Sequence, residues 1–190
     1  MQALKDRIIN DGVAIGTEIV KVDSFLNHQL DVGFLYEIGA EFRRRFSDVA
    51  PTKILTTEAS GISVACMAAM HFERIPVIFA KKTKPSTMID GFYSAEVRSF
   101  TKNVVSQVTI AKKYLSPDDR ILMIDDFLAH GEAGLGLLQM VRESGAYPLG
   151  LGAVIEKAFQ GGAARIRAAG CRVESLAVIE KIDDGVITFA

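Results

Sequence analysis

The sequence predicts an α/β protein with a mainly parallel central sheet covered by helices on both faces. Three observations carry that expectation. Lys53–Thr57 is rich in strand formers, and residues 75–80, 121–124 and 148–155 are almost continuously apolar, as strands buried on both faces are. Segments with helical spacing separate these runs, giving the strand-then-helix alternation of a parallel sheet. A length of 190 residues suits one domain with a proper core.

Each element has its own signal. Residues 31–48 place Phe34, Ile38, Phe42 and Phe46 at steps of four, an amphipathic helix with Asp31 as its cap. After the first strand, a glycine-marked turn leads to a helix through residues 64–71 and then to strand 75–80. Strand 121–124 precedes a helix over 135–143 that ends near Gly145. Strand 148–155, a helix over 160–169 and more strand over 171–182 complete the alternation. Residues 83–114 break the rhythm. They alternate weakly, carry Asp90-Gly91 and many Ser, Thr and Lys, and read as a two-stranded excursion with an exposed tip, standing off the sheet. Such insertions serve as lids or oligomer contacts. Asp183-Asp184-Gly185, between apolar runs in the tail, is a hairpin signal. No repeat or low-complexity linker divides the chain, so a single domain over 1–190 is expected.

Composition excludes several classes. Apolar residues at 49% and charged residues at 24% are the mix of a soluble globular protein, and a net charge of -1 offers no global basic field to nucleic acid. The Arg43-Arg44-Arg45 run lies on a helix, where such runs usually face solvent. The start, MQALKDRIINDG, is too charged for a signal peptide, and no apolar run approaches ~20 residues. Neither export nor a membrane span is therefore expected, and a cytoplasmic location follows. Cys66 and Cys171 read as small buried hydrophobes. His28, His71 and His130 lack partners at triad or metal spacing, and no G-x-S-x-G elbow occurs, so a hydrolase reading has little support.

Ligands of parallel sheets collect at the carboxyl ends of the strands. That rim holds residues 56–61, Lys81-Lys82, residues 125–134 and residues 156–159. Within it, MIDDFLAHGEAG sets Asp125 and Asp126 behind an apolar run and ahead of small residues that open a helix. A helix N-terminus binds anions, and small residues let a phosphate reach the main chain. Each N–H to a charged oxygen contributes about 1.5–3 kcal/mol. The acids repel phosphate but suit ribose hydroxyls, or a Mg2+ that screens them. Phosphate on the loop and ribose on the acids together specify a ribose 5-phosphate. Alone, an acid pair more often solvates a strand end and caps the next helix; the apolar lead-in and small loop favour the ligand.

ILMIDDFLAHGEA resembles the phosphoribosyl pyrophosphate (PRPP) signature of the type I phosphoribosyltransferases. LTTEASGIS is similar to that family's pyrophosphate loop, FAKK to its basic strand end, and VRSFTK falls in its flexible catalytic loop. KVDSFLNHQLD and VIEKAFQGG narrow the likeness to bacterial purine-salvage members. The resemblance implies the type I fold, with a hood from about 1–30 and 157–190 and a lid over about 83–114. It implies transfer of the phosphoribosyl group from PRPP to xanthine with Mg2+, in a homodimer, without nucleic acid or membrane. Hypoxanthine or guanine as the base, or a PRPP-binding regulator, are the alternatives.

The resemblance also assigns roles. Asp125 and Asp126 would hold the ribose hydroxyls, and Ala129, His130, Gly131, Glu132 and Ala133 would cradle the 5-phosphate. His130 and Glu132 depart from the wider family, which prefers Thr or Gly there; Glu132 would point outward. Ala59, Ser60 and Gly61 would offer N–H groups to pyrophosphate, in a loop where the family often has a non-proline cis peptide, and Lys81 would neutralise its charge. Lys157 would bond a purine oxygen, Asn27 would read the base edge, Val20 would pack on the base and Phe159 would stack on it. By residue type alone, Lys81 is a surface lysine, Asn27 a turn residue and Phe159 core, and Lys157 is balanced between the base and an ion pair with Glu156.

Overall fold

The computed structural model describes residues 1–82, 91–99 and 104–190. The chain opens with α1 (Gln2–Asp11), the short hairpin β1 (Val13–Ile15) and β2 (Ile19–Lys21), and a wide helical turn over Asp23–Asn27. Then follow α2 (Val32–Arg45), β3 (Lys53–Thr57), α3 (Gly61–His71) and β4 (Val77–Ala80). A second hairpin, β5 (Phe92–Ser99) and β6 (Val104–Ala111), leads to β7 (Arg120–Leu128) and α4 (Glu132–Glu143). The chain closes with β8 (Tyr147–Lys157), α5 (Gly162–Ala168), β9 (Val173–Asp183) and β10 (Val186–Phe189).

The central sheet has the order β10-β9-β8-β7-β3-β4. Its strands are parallel except for β10, which turns back on β9 through Asp184 and Gly185, both at positive φ, where the DDG signal predicts a hairpin. After β3 the chain moves outward to β4, but later strands build on the opposite side of β3 from β7. This reversal is a switch point, where a crevice opens at the carboxyl ends of the strands. The β3–β7 ladder stops at Leu55↔Met123, two residues before Asp125.

Alternation along each strand fills both faces. On β7, Leu122 and Ile124 join Ile38, Phe42 and Val64 of the α2–α3 layer, while Ile121 and Met123 join Leu137, Val141 and Ile166 of the α4–α5 layer. The predicted cap on α2 is present: the Asp31 carboxylate accepts from the Phe34 amide at 3.1 Å. The helix buries Leu35, Ile38 and Phe42, and of its arginine run Arg43 and Arg44 are exposed, as expected, while Arg45 is half-buried. Arg44 and Arg45 donate to Glu41 at 2.7 and 2.9 Å, and Arg43 lies over the Phe72 ring.

Three expectations change. The acid pair does not end its strand. β7 continues through both carboxylates to Leu128, because its ladder to β8 runs on to Leu128↔Glu156 whatever the side chains. The excursion does not stand clear of the sheet: Ala95, Val108 and Ile110 are buried, Ala95 and Val97 lie against Gly136 of α4, and Thr109 bridges Lys81. Residues 83–90 and 100–103 of the expected lid lie outside the described residues. Cys171 is buried, but Cys66 is exposed on the outer side of α3.

Candidate active site

A cavity of about 730 Å³ opens at the switch point. Its walls come from the ends of β3, β7 and β8 and the loops that follow them, with Glu18 and Ile19 reaching over from the N-terminal hairpin. It lies in the size range of small-molecule sites.

Asp125 and Asp126 form the floor, and neighbours on a strand leave it on opposite faces. Asp125 sits behind Gly61, where a Cβ would stand 2.8 Å from its Oδ1 and 2.2 Å from Thr56 Oγ1. No other residue would let α3 start so close to the carboxylate. Protein crowding pushes the Asp125 carboxyl well above the usual range, and the Asp126 charge pushes it further. The Asp126 amide donates to Asp125 Oδ1 at 3.0 Å, and the Asp126 carboxylate accepts from Asn27 Nδ2 at 2.7 Å.

Beyond β7 the chain passes Ala129 and His130 to Gly131, whose φ of 83° starts α4 without a side-chain cap. The first-turn amides therefore face the cavity with a helix dipole behind them. The loop is pressed from outside by α5. A Cβ on Gly162 would stand 2.3 Å from the Ala129 oxygen, and the Gly162 amide donates to that oxygen at 3.0 Å. Across the cavity, the β3–α3 loop contributes Glu58, Ala59, Ser60 and Gly61, and its Glu58–Ala59 peptide is cis.

Among the described residues, the lining carries five carboxylates, Glu18, Glu58, Asp125, Asp126 and Glu132, against two lysines, Lys82 and Lys157. Four buried polar atoms around it, Asn27 Oδ1, Thr56 Oγ1, Thr57 Oγ1 and Gln160 Oε1, have no partner among the described residues. Unmet groups of this kind each cost about 1–3 kcal/mol and belong where a polar ligand meets them.

Relatives of known name align with this chain from end to end. No protein-family model matches the chain. The xanthine phosphoribosyltransferase of Clostridium novyi (strain NT) is 51% identical over 189 residues, spanning 100% of this chain and 99% of that protein. That of Heliobacterium modesticaldum is 50% identical over 190 residues and spans both chains fully. The chain belongs to the xanthine phosphoribosyltransferase family. Its fold is that of the type I phosphoribosyltransferases. Adenine phosphoribosyltransferase from Rhodothermus marinus matches with a TM-score of 0.74 over 94% of this chain and 100% of that one, at 16% identity. The Giardia lamblia enzyme complexed with 9-deazaadenine matches at 0.75 over 92% and 96%, at 14% identity.

The cavity gathers most of the residues expected from sequence. Asp125, Asp126, Ala129, His130, Gly131, Glu132, Ala133, Ala59, Ser60, Gly61 and Lys157 all line it. Lys157 does not pair with Glu156. Its Nζ donates to the Glu18 backbone carbonyl at 2.7 Å and lies over the Phe127 ring, while the Glu156 carboxylate accepts from the Ser175 hydroxyl at 2.6 Å. Burial lowers the Lys157 pKa, which the negative Glu18 partly opposes.

Other expected residues lie elsewhere. Lys81 faces a separate groove beside Phe79 and Tyr114, and Lys82 lines the cavity; adjacent residues leaving β4 point to opposite sides. Val20 is buried in the core, and the exposed Ile19 beside it reaches the cavity. Phe159 is 40% exposed outside the lining, and Phe127 is the aromatic that faces in. Sequence reasoning set Lys82, Phe127 and Glu58 on the rim without giving them a role, and it missed Gln160 altogether. Strand alternation next to the KK and DD pairs carried a signal for the first two; nothing local marked the others.

Proposed function

We propose that this chain transfers the 5-phosphoribosyl group of PRPP to xanthine, giving xanthosine 5'-monophosphate and pyrophosphate. One observation carries the reading. The Asp125–Asp126 pair and the glycine-started N-terminus of α4 share a cavity, in a chain about half identical throughout to proteins named for this reaction.

The two carboxylates accept from the ribose 2- and 3-hydroxyls, and the amides from Ala129 to Ala133 bind the 5-phosphate. The amides of Ala59, Ser60 and Gly61 receive the pyrophosphate; Lys82 faces it, and Lys81 adds positive potential from behind the strand end. The base occupies the hood side, against Phe127, with Lys157 donating to a purine oxygen and Asn27 at the base edge.

In the reaction a purine ring nitrogen forms a bond to C1 of the ribose. The bond from C1 to the pyrophosphate oxygen breaks, pyrophosphate leaves with the electron pair, and the nitrogen's proton goes to solvent. Positive charge grows on the sugar as in glycoside cleavage. Negative charge grows on the leaving group, where Lys82 and the loop amides stabilise it. The β5–β6 hairpin is positioned to exclude water from C1.

Mg2+ is the cofactor this reading assigns. Among the described residues no group of three or more His, Cys, Asp or Glu forms a metal cage. Mg2+ suits a different arrangement, one or two carboxylates together with substrate phosphates, and Asp125 and Asp126 offer such hard oxygen donors. When bound, the ion supplies charge neutralisation at the diphosphate. We assign the chain to the cytoplasm as a homodimer. No helix among the described residues is long and apolar enough to cross a membrane, and β4 is an open sheet edge with a partly exposed Phe79.

The test is nucleotide formation from PRPP, Mg2+ and xanthine, hypoxanthine or guanine in separate reactions. Xanthosine monophosphate forming with the highest kcat/KM is the expected result. Absence of product with xanthine overturns the assignment.

A further inference from the structure

We propose that Arg165, on α5, is a positioning residue that keeps the 5-phosphate loop receptive by neutralising Glu132. The inference rests on the assignment of residues 129–133 to the 5-phosphate. Glu132 is the first residue of α4 and lines the cavity, so a carboxylate stands where an anion must bind. Left alone, it would be drawn to the same N-terminal dipole and amides as the phosphate, and would repel the phosphate too. Arg165 prevents both. Its Nη1 donates to Glu132 Oε1 at 2.6 Å and to the His130 oxygen at 2.6 Å, tying the side chain and the loop backbone to one guanidinium.

The placement of Arg165 is built by the fold. Gly161, with φ at 75°, turns the chain into α5, and Gly162 packs directly on the loop, its Cα 3.1 Å from where a Cβ on Gly131 would stand. Three residues on, nearly one helical turn later, Arg165 returns over the loop. Arg167, on the same helix, instead donates to the Val173 oxygen at 3.3 Å, away from the cavity. An exposed ion pair adds little to stability, so this pair's weight falls on ligand binding.

The experiment measures KM for PRPP, KM for xanthine, kcat and melting temperature for wild type, R165A, R167A and the double variant E132Q/R165A. R165A should raise KM for PRPP about tenfold, with kcat and KM for xanthine within about twofold, and R167A should match wild type. E132Q/R165A should return KM for PRPP to within about threefold of wild type, because the unbalanced charge is gone. A merely structural loss would not be rescued by removing a second contact. The proposal is overturned if R165A leaves KM for PRPP within twofold, or if the double variant is no better than R165A. A wild type that does not use PRPP would instead refute the underlying function, which separates the two failures.

Discussion

The side-chain amide of Asn27 donates to Oδ2 of Asp126 at 2.7 Å, across 99 residues of sequence. This bond joins the N-terminal segment to the carboxylate proposed to hold the ribose, and Asn27 Oδ1 is buried with no partner among the described residues. In the proposed site one residue would therefore serve base and sugar together. Asn27→Ala should raise KM for xanthine and for PRPP, each by about 3- to 10-fold, the weight of one net hydrogen bond of roughly 1 kcal/mol. Asn27→Asp should be worse for both, because it sets carboxylate against carboxylate. Steady-state kinetics with each substrate varied decides it: a change confined to xanthine would deny the link to Asp126 any functional weight.

Asp125 trades stability for function. Its carboxyl is held well above the usual range, chiefly by burial and then by Asp126. A folded-state pKa raised above the unfolded value means the native state binds the proton more tightly. The stability this provides is complete below about pH 3.8 and is lost as pH rises through the folded value, so the ligand-free protein carries a penalty at neutral pH. Asp125→Asn removes that penalty and keeps an oxygen for the Asp126 amide. It should raise the melting temperature at pH 7.5 by about 2–4 °C for each kcal/mol relieved, while lowering turnover strongly. Thermal melts at pH 5 and 7.5 measure this; a variant less stable than wild type at both would contradict the account.

Much of this architecture was legible in the sequence because buried parallel strands leave unbroken apolar runs. The Asp31 cap and the Asp183-Asp184-Gly185 turn were legible because their chemistry is local. The end of β7 was misread because its side chains turn polar at Asp125 while the backbone ladder continues to Leu128. β1 and β2 have three residues each, too few to show alternation. The acid pair and small loop were legible as one cluster, and both line the cavity. The bonds from Asn27 to Asp126 and from Arg165 to Glu132 were hidden, because they join segments that only the folded sheet brings together.

Lys157 gives the site an alkaline limit. Burial lowers its pKa, so it gives up its proton at a lower pH than an ordinary lysine, and with it the charged donor proposed for the base. The kcat/KM for xanthine should fall on the alkaline side in wild type, and Lys157→Arg should push that limb to higher pH. Lys157→Met should raise KM for xanthine by about 10- to 100-fold, matching the 1.5–3 kcal/mol of a charged hydrogen bond. A pH profile unchanged in Lys157→Arg would remove this lysine from base recognition.

Gly162 fixes the outer wall of the phosphate loop. A methyl group there would meet Ala129 O at 2.3 Å, Gly131 N at 2.6 Å and His130 C at 2.8 Å, all backbone atoms. Gly162→Ala should cost about 1–3 kcal/mol and raise KM for PRPP, as overpacked sites do. Denaturant melts together with PRPP titration check it; wild-type values in both would mean that α5 does not brace the loop.

The claim at the centre of this account is that Asp125 and Asp126 hold the ribose of PRPP during transfer. The most direct measurement compares xanthosine monophosphate formation, with pyrophosphate release, in wild type and in D125N/D126N at saturating Mg2+. Wild type should form the two products one for one, and the double variant should lose at least about 100-fold in kcat/KM for PRPP while melting no lower than wild type, the equivalent of roughly 2.7 kcal/mol in the transition state. A double variant that turns over at the wild-type rate would contradict the account.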